Sequence, residues 1–239
     1  MRILITNDDG LSAPVLPELI RWARGLGEVT VVVPKVEQSG KSHAIDFTRP
    51  IEIKQVKIAE DITVWSMDST PADCVRFAVL GQMWQFDLII SGINRGFNLG
   101  KDIVYSGTCG AIFEGARLGI KGIALSTDPQ DHTAAIARLN SLWSFITEEK
   151  LLEKNNLYNI NIPADDNGIV FTRQGGIYFY DEFVKIAEDT YEQRGGLVKT
   201  DSCDLTLDTD AIRHSYLSIT PLTHERTNLP VFESLINGK

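Results

Sequence analysis

Cysteine is scarce: Cys74, Cys109 and Cys203 are the whole complement. Odd in number and far apart, they fit neither a disulfide framework nor the paired spacing of a zinc site. Long hydrophobic runs are missing as well. None approaches the roughly 20 residues that cross a bilayer, and no basic segment leads into an apolar signal region at the N-terminus. A cytoplasmic protein is the expectation. Positive charge is in deficit, since 23 Lys and Arg face 32 Asp and Glu for a net charge of −9. Such a surface does not attract a nucleic-acid backbone or an anionic membrane, so neither is expected as a partner. An anionic substrate would need a local positive centre, such as a metal ion. Internal repeats and low-complexity tracts are absent.

What is present reads as one α/β unit. The 239 residues, 43% of them hydrophobic, can bury a large core without covalent staples. Apolar strand-like runs at residues 2–6, 29–33, 62–67, 87–91, 122–127 and 158–162 alternate with helical patterns at 14–25, 107–119 and 132–152. Residues 51–58 read as a further strand, and with 62–67 they form a ribbon beside the main sheet. Thr70 followed by Pro71 marks a helix start, Thr70 as cap and Pro71 in the first turn. This alternation predicts a mostly parallel sheet with helices on both faces. It extends to about residue 163. Residues 1–164 therefore read as a Rossmann-like α/β core, and 165–239 as an extension of the same domain with strand-like pieces at 169–172 and 216–220.

The chain is organised around its first ten residues, MRILITNDDG. A buried strand runs into a sharp turn, where Gly10 permits the backbone to leave strand geometry. Two adjacent carboxylates, Asp8 and Asp9, thus stand at the carboxyl end of a central strand, where α/β proteins place their chemistry. Alone, they could be a helix cap and a solvated turn acid. Read functionally, they begin an all-oxygen site for a hard cation, Mg²⁺, Mn²⁺ or Ca²⁺. Two loops from the same sheet edge offer neutral oxygens: Ser39, next to Gly40, after the second strand, and Asn94, between glycines, after the strand at 87–91. A third loop, Tyr105-Ser106-Gly107-Thr108, precedes an apolar helix. Free backbone N–H groups and the helix dipole there suit a phosphate, although Ser106 or Thr108 could simply cap the helix.

Several tempting motifs fail. Gly40-Lys41-Ser42 resembles the end of a nucleotide P-loop, but Lys35 stands where the first glycine belongs. GINRGFNLG lacks dinucleotide spacing, and there is no Gly-x-Ser-x-Gly elbow. The histidines, His43, His132, His214 and His224, are scattered and read as surface or structural; His43 shares the Ser39 loop.

Taken together, MRILITNDDG, SG at Ser39, TPADCV at Thr70, SGINRGFNLG at Ser91, YSGTCGAIFEGARLGI at Tyr105, NIP at Asn161, TRQG at Thr172 and SITPL at Ser218 resemble the SurE family of stationary-phase survival proteins. They span nearly the whole chain in the family's order. The resemblance implies a Rossmann-like core and a C-terminal hairpin exchanged between subunits of a dimer, often within a tetramer. It also implies one divalent ion per subunit held by Asp8, Asp9, Ser39 and Asn94, with Asn94, Gly40, Ser106, Gly107 and Thr108 near the phosphate. Asp8 and Asp9 would be catalytic. The implied reaction is hydrolysis of nucleoside 5′-monophosphates, with 3′-monophosphates and short polyphosphate as further substrates, by a water activated at the cation. A nucleotide or metal sensor with the same pocket is the alternative. This chain departs from the family pattern at Ser69, at residues 191–197 and at Asp208, where glycine is more usual.

Overall fold

The computed structural model describes residues 1–237. Its elements, in order, are β1 (Arg2–Thr6), α1 (Leu16–Arg24), β2 (Glu28–Pro34), β3 (Ile53–Ala59), β4 (Ile62–Met67), α2 (Pro71–Arg76), β5 (Leu88–Arg95), α3 (Gly107–Arg117), β6 (Lys121–Thr127), α4 (Thr133–Glu148), α5 (Leu151–Lys154), β7 (Leu157–Ile162), β8 (Ile169–Phe171), β9 (Phe179–Ala187), β10 (Thr190–Leu197), α6 (Asp208–Arg213), β11 (Leu217–Leu222) and α7 (Leu229–Asn237). Nine strands form one sheet in the order β3-β4-β2-β1-β5-β6-β7-β11-β8. Six of its pairings are parallel; β3 with β4 and β7 with β11 are antiparallel. Among the described residues no helix is long and apolar enough to cross a membrane.

The period of two along each strand decides which helices it meets. Ile3 and Ile5 of β1 pack with Leu16, Leu19 and Ile20 of α1 and Leu139 and Leu142 of α4 on one face. Leu4 points the other way, into a cluster with Cys74 and Val75 of α2 and Ala111 and Ile112 of α3. Both faces are thus covered, as the near-continuous apolar strands require. Thr70 caps α2 by accepting the Asp73 N–H at 3.1 Å, with Pro71 in the first turn, as the local sequence predicts.

Strand β1 lies between β2 and β5. The chain leaves it in one direction and later returns on its other side, so the crevice past its carboxyl end is a topological switch point. Two local differences from the sequence reading bear on what reaches it. Strand β5 does not stop at Ser91: after a register shift it pairs on through Asn94↔Ser126 and Arg95↔Thr127. An irregularity of this kind re-aims the side chains beyond it. The helix expected over 132–152 is broken into α4 and α5 at Lys150, whose φ of 53° cannot continue a right-handed ladder.

The chain beyond residue 165 does two things. Strands β8 and β11 join the far edge of the sheet, β11 almost wholly buried against β7. Strands β9 and β10 instead form a separate antiparallel hairpin, with Phe183 72% exposed and Ile186 and Tyr191 also in the open. Helix α7 buries nothing, and its Leu229, Val231, Phe232, Leu235 and Ile236 are at least half exposed.

Candidate active site

The turn after β1 is closed by Asn7, whose side chain donates to the Gly10 carbonyl (3.0 Å) and accepts the Gly10 N–H (3.1 Å). Gly10 has φ of +82°, and a Cβ there would come within 2.8 Å of the Val36 carbonyl carbon. Glycine therefore lets the loops after β1 and β2 touch. The Gln38 N–H donates to the Asp8 carbonyl at 2.7 Å and fixes that contact. The two acids then part. Asp8 turns inward to the start of α3, where the Thr108 hydroxyl donates to its Oδ1 (2.6 Å) and the Thr108 N–H to its Oδ2 (3.3 Å). Asp9 turns toward β5 and accepts the Arg95 N–H at 3.0 Å through Oδ2. Of the four carboxylate oxygens, Asp9 Oδ1 alone has no hydrogen bond among the described residues.

A cleft of about 310 Å³ opens here, lined by Asp8, Ser39, Gly40, Asn94 and Ser106 among the residues singled out from sequence. Ser39 is exposed, and its hydroxyl donates to Glu37 at 2.7 Å. Asn94 donates its amide to the Gly96 carbonyl at 2.7 Å, which leaves its Oδ1 free to accept or to ligate. Ser106 caps α3 by accepting the Cys109 N–H at 3.0 Å. Gly107 follows, and a Cβ there would stand 3.0 Å from Asp8 Cβ and 3.1 Å from its Oδ2. Only glycine leaves Asp8 this close to the helix start. Thr108 is fully buried beneath Asp8 and spends its hydroxyl and its N–H on that carboxylate. In this geometry it reaches a ligand through Asp8 rather than directly.

Burial pushes the Asp8 carboxyl up to about 6, against the Thr108 hydrogen bonds that lower it, and the neighbouring charge of Asp9 adds to the rise. Asp9 is raised too, by burial first, with Glu37 adding to the rise and the Arg95 N–H opposing it. Neither carboxylate is in an ion pair among the described residues. A buried carboxylate and a half-buried one, neither in an ion pair, beside a free amide oxygen and a hydroxyl make an electron-rich pocket, which the charge of Arg95 offsets only in part, since Asp9 stays raised. That donor set, all oxygen and partly neutral, fits a hard divalent ion that keeps open positions. No three His, Cys, Asp or Glu side chains gather around a metal position among the described residues; the neutral ligands are what complete this set.

Sequence reasoning missed much of the cleft's frame. Arg95, Phe97, Asn98, Asp102, Tyr105, Phe179 and Asp181 also line it. The peptide at Asn98 is clamped from β7: Asn159 and Asn161 both donate to its carbonyl, at 2.8 and 3.0 Å, and its N–H donates to Asn161 at 2.9 Å. A legible signal existed, since two asparagines on alternate positions in LYNINI share one face of an otherwise apolar strand. Asp102 accepts the Tyr178 and Phe179 N–H groups, each at 3.0 Å. That pair fixes the root of the projecting hairpin at the rim of the cleft.

The family model described as "Survival protein SurE" matches residues 3–180. A protein named 5′-nucleotidase SurE from Natranaerobius thermophilus is 35% identical, over 99% of this chain and 98% of its own. Its namesake from Thermosipho africanus is 38% identical, over 95% and 93% of the two chains. The crystal structure of the SurE protein from Aquifex aeolicus superposes with a TM-score of 0.77 at 32% identity, covering 99% of each chain. With similarity of this extent, and a β1 turn that delivers two carboxylates to the switch point of the same fold, the chain belongs to the SurE family.

Proposed function

We propose that the chain hydrolyses nucleoside 5′-monophosphates to nucleoside and phosphate with one divalent cation, Mg²⁺ or Mn²⁺, held by Asp8, Asp9, Ser39 and Asn94. The observation that carries this is a carboxylate pair without ion-pair partners, of which Asp8 lines the same cleft as Ser39, Asn94 and Ser106 at the N-terminus of α3. The relatives' name, 5′-nucleotidase SurE, supports the substrate class. When bound, the cation neutralises phosphoryl charge and acidifies water. The chain's own residues do the rest. Ser106 and the Gly107 N–H stand at the positive end of the α3 dipole, where a phosphoryl group is held by backbone donors. Thr108 keeps Asp8 fixed toward the cleft. Phe97, Tyr105 and Phe179 give the cleft aromatic surface of the kind a nucleobase packs against.

Phosphate release from a panel of nucleoside 5′- and 3′-monophosphates tests the proposal. Wild type with Mg²⁺ or Mn²⁺ is expected to turn over the 5′-monophosphates, with chelator and Asp9→Asn each lowering the rate at least tenfold. Release no greater than the blank under every metal would instead leave a non-catalytic nucleotide-binding role.

We further propose that the chain associates with itself through the β9–β10 hairpin and α7. Exposed Phe183, Ile186 and Tyr191 on the one, and five exposed apolar side chains on the other, are more apolar surface than a lone soluble protein leaves uncovered. Light scattering is expected to give a mass of two or four chains; a monomer at micromolar concentration removes the proposal.

A further inference from the structure

A second cleft, larger than the one that Asp8 lines, lies elsewhere on the molecule. About 620 Å³ in volume, it is walled by Lys41, Ser42, His43 and Ala44 on one side, Phe113 and Arg117 of α3 beneath, and Thr223, His224 and Arg226 after β11. It shares no lining residue with the candidate active site. We propose that it is a second binding site, for a small molecule carrying a phosphate group.

Charge is the first argument. The chain carries −9 overall, yet no acid lines this cleft and three permanently charged bases do. Lys41 and Arg226 have no carboxylate partner among the described residues. Arg117 is directed by Glu114 through its Nε and Nη2, at 3.1 and 2.8 Å. Burial favours the neutral Glu114 carboxyl, but hydrogen bonds from His43, Arg117 and Arg76 hold it at about 2, so it stays ionised and orients the bases around it. A second flanking acid, Glu225, lies beside His224 at 3.6 Å.

Hydrogen-bond chemistry narrows the ligand. The Thr223 hydroxyl accepts the Glu225 N–H at 3.1 Å, so its own proton is available to a ligand oxygen. Arginine offers a planar fork suited to phosphate, and lysine a point charge. The volume lies within the range of small-molecule pockets, and a chain of this net charge is a poor host for a polyanion. His43 against Phe113, ring centres 6.4 Å apart, gives the floor an aromatic part for the ligand's organic portion.

The wall also has a defined connection. Residues 41–44 directly follow Ser39 and Gly40, and Ser42 is tied to the chain ahead of α3 through its N–H to Tyr105 O (2.9 Å) and its hydroxyl to Val104 O (2.6 Å). One loop therefore borders both clefts.

Calorimetric titration of the Mg²⁺-loaded protein with inorganic phosphate tests this. Wild type is expected to show two sites. Arg226→Glu should weaken one of them at least tenfold, Arg226→Lys should retain part of it, and both variants should keep wild-type phosphate release from substrate and wild-type mass by light scattering. A single site lost only with Asp9→Asn overturns the proposal. So does unchanged binding in Arg226→Glu, or a changed subunit count, which would make the cleft a contact between copies. Because Arg226 does not line the cleft of Asp8, failure here leaves the phosphatase reading untouched.

Discussion

Asp8→Asn is expected to reduce kcat/KM for nucleoside monophosphates about 10³-fold or more, the scale on which loss of one preorganised electrostatic group acts. The same variant should not lose stability in chelator at pH 7.5. Asp8 sits at about 6 where an unfolded aspartate sits at 3.8. The folded chain thus holds this proton more tightly than the unfolded chain does. The group's contribution to stability is fully present below about pH 4 and is lost as the pH rises through about 6. The separation of these two values makes that loss on the order of 3 kcal/mol. An asparagine has no ionisation to resist, so the thermal midpoint of chelated Asp8→Asn should match or exceed that of wild type. Mn²⁺ should reverse the order. It should raise the wild-type midpoint increasingly from pH 5 to 7, because the cation must displace the proton, and should leave the variant where it was. The assignment is falsified if the variant keeps wild-type turnover, or if its chelated midpoint drops far enough for unfolding to explain the lost activity.

That opposition between stability and ligand binding shows where sequence patterns speak and where they fall silent. The fold was legible because its signals are local. Alternation of buried strands with capped helices calls for a covered parallel sheet, and Thr70-Pro71 starts α2 as such a pair should. The meeting of Asp8, Ser39, Gly40, Asn94 and Ser106 in one cleft followed from the same logic, since loops at the carboxyl ends of parallel strands share one edge. What escaped is carried by contacts distant in sequence. Thr108 reads locally as a phosphate ligand or a cap, and only the fold brings its hydroxyl onto a carboxylate 100 residues earlier. Glu37 carries no local signal of a role, and its charge raises Asp9 only because the fold brings the loops after β1 and β2 together. Strand β5 runs past Ser91 because β6 lies beside it to pair with Asn94 and Arg95, something the glycine-flanked SGINRG cannot announce. The hairpin strands β9 and β10, acidic and glycine-containing, lack the alternation that one buried face would impose.

Asp208 ties the segment that leads into that hairpin to the turn behind the cleft, beside the Asp102 contact at the hairpin's root. Asp208→Ala is therefore expected to be the most destabilising single change outside the apolar core. Its carboxylate is fully buried and accepts three N–H groups: Gly100 at 2.9 Å, Gly175 at 2.7 Å and Thr209 at 2.7 Å. Burial pushes the group up, while the Gly100, Gly175 and Thr209 N–H groups pull it back. Gly100 begins the turn that leads to Tyr105 and Ser106. Gly175 begins the approach to Tyr178 and Phe179, so one side chain ties the inner wall of the cleft to its outer rim. Gln174 donating to Gly100 O at 2.9 Å and the Lys101 N–H donating to Gly176 O at 3.0 Å depend on the same alignment. Alanine leaves the donors buried without partners, at about 1–3 kcal/mol each. A total on the order of 4 kcal/mol corresponds to a midpoint about 10 °C lower for a chain of this size. Asp208→Asn keeps one acceptor oxygen and should fall between. Below the midpoint, KM should rise more than kcat falls, because the displaced parts are Tyr105, Phe179 and Asp181 at the substrate-facing rim, while Asp8 and Asp9 remain in place. A midpoint within about 2 °C of wild type would show that water satisfies these donors, and an equal loss in kcat would place the effect at the carboxylate pair instead.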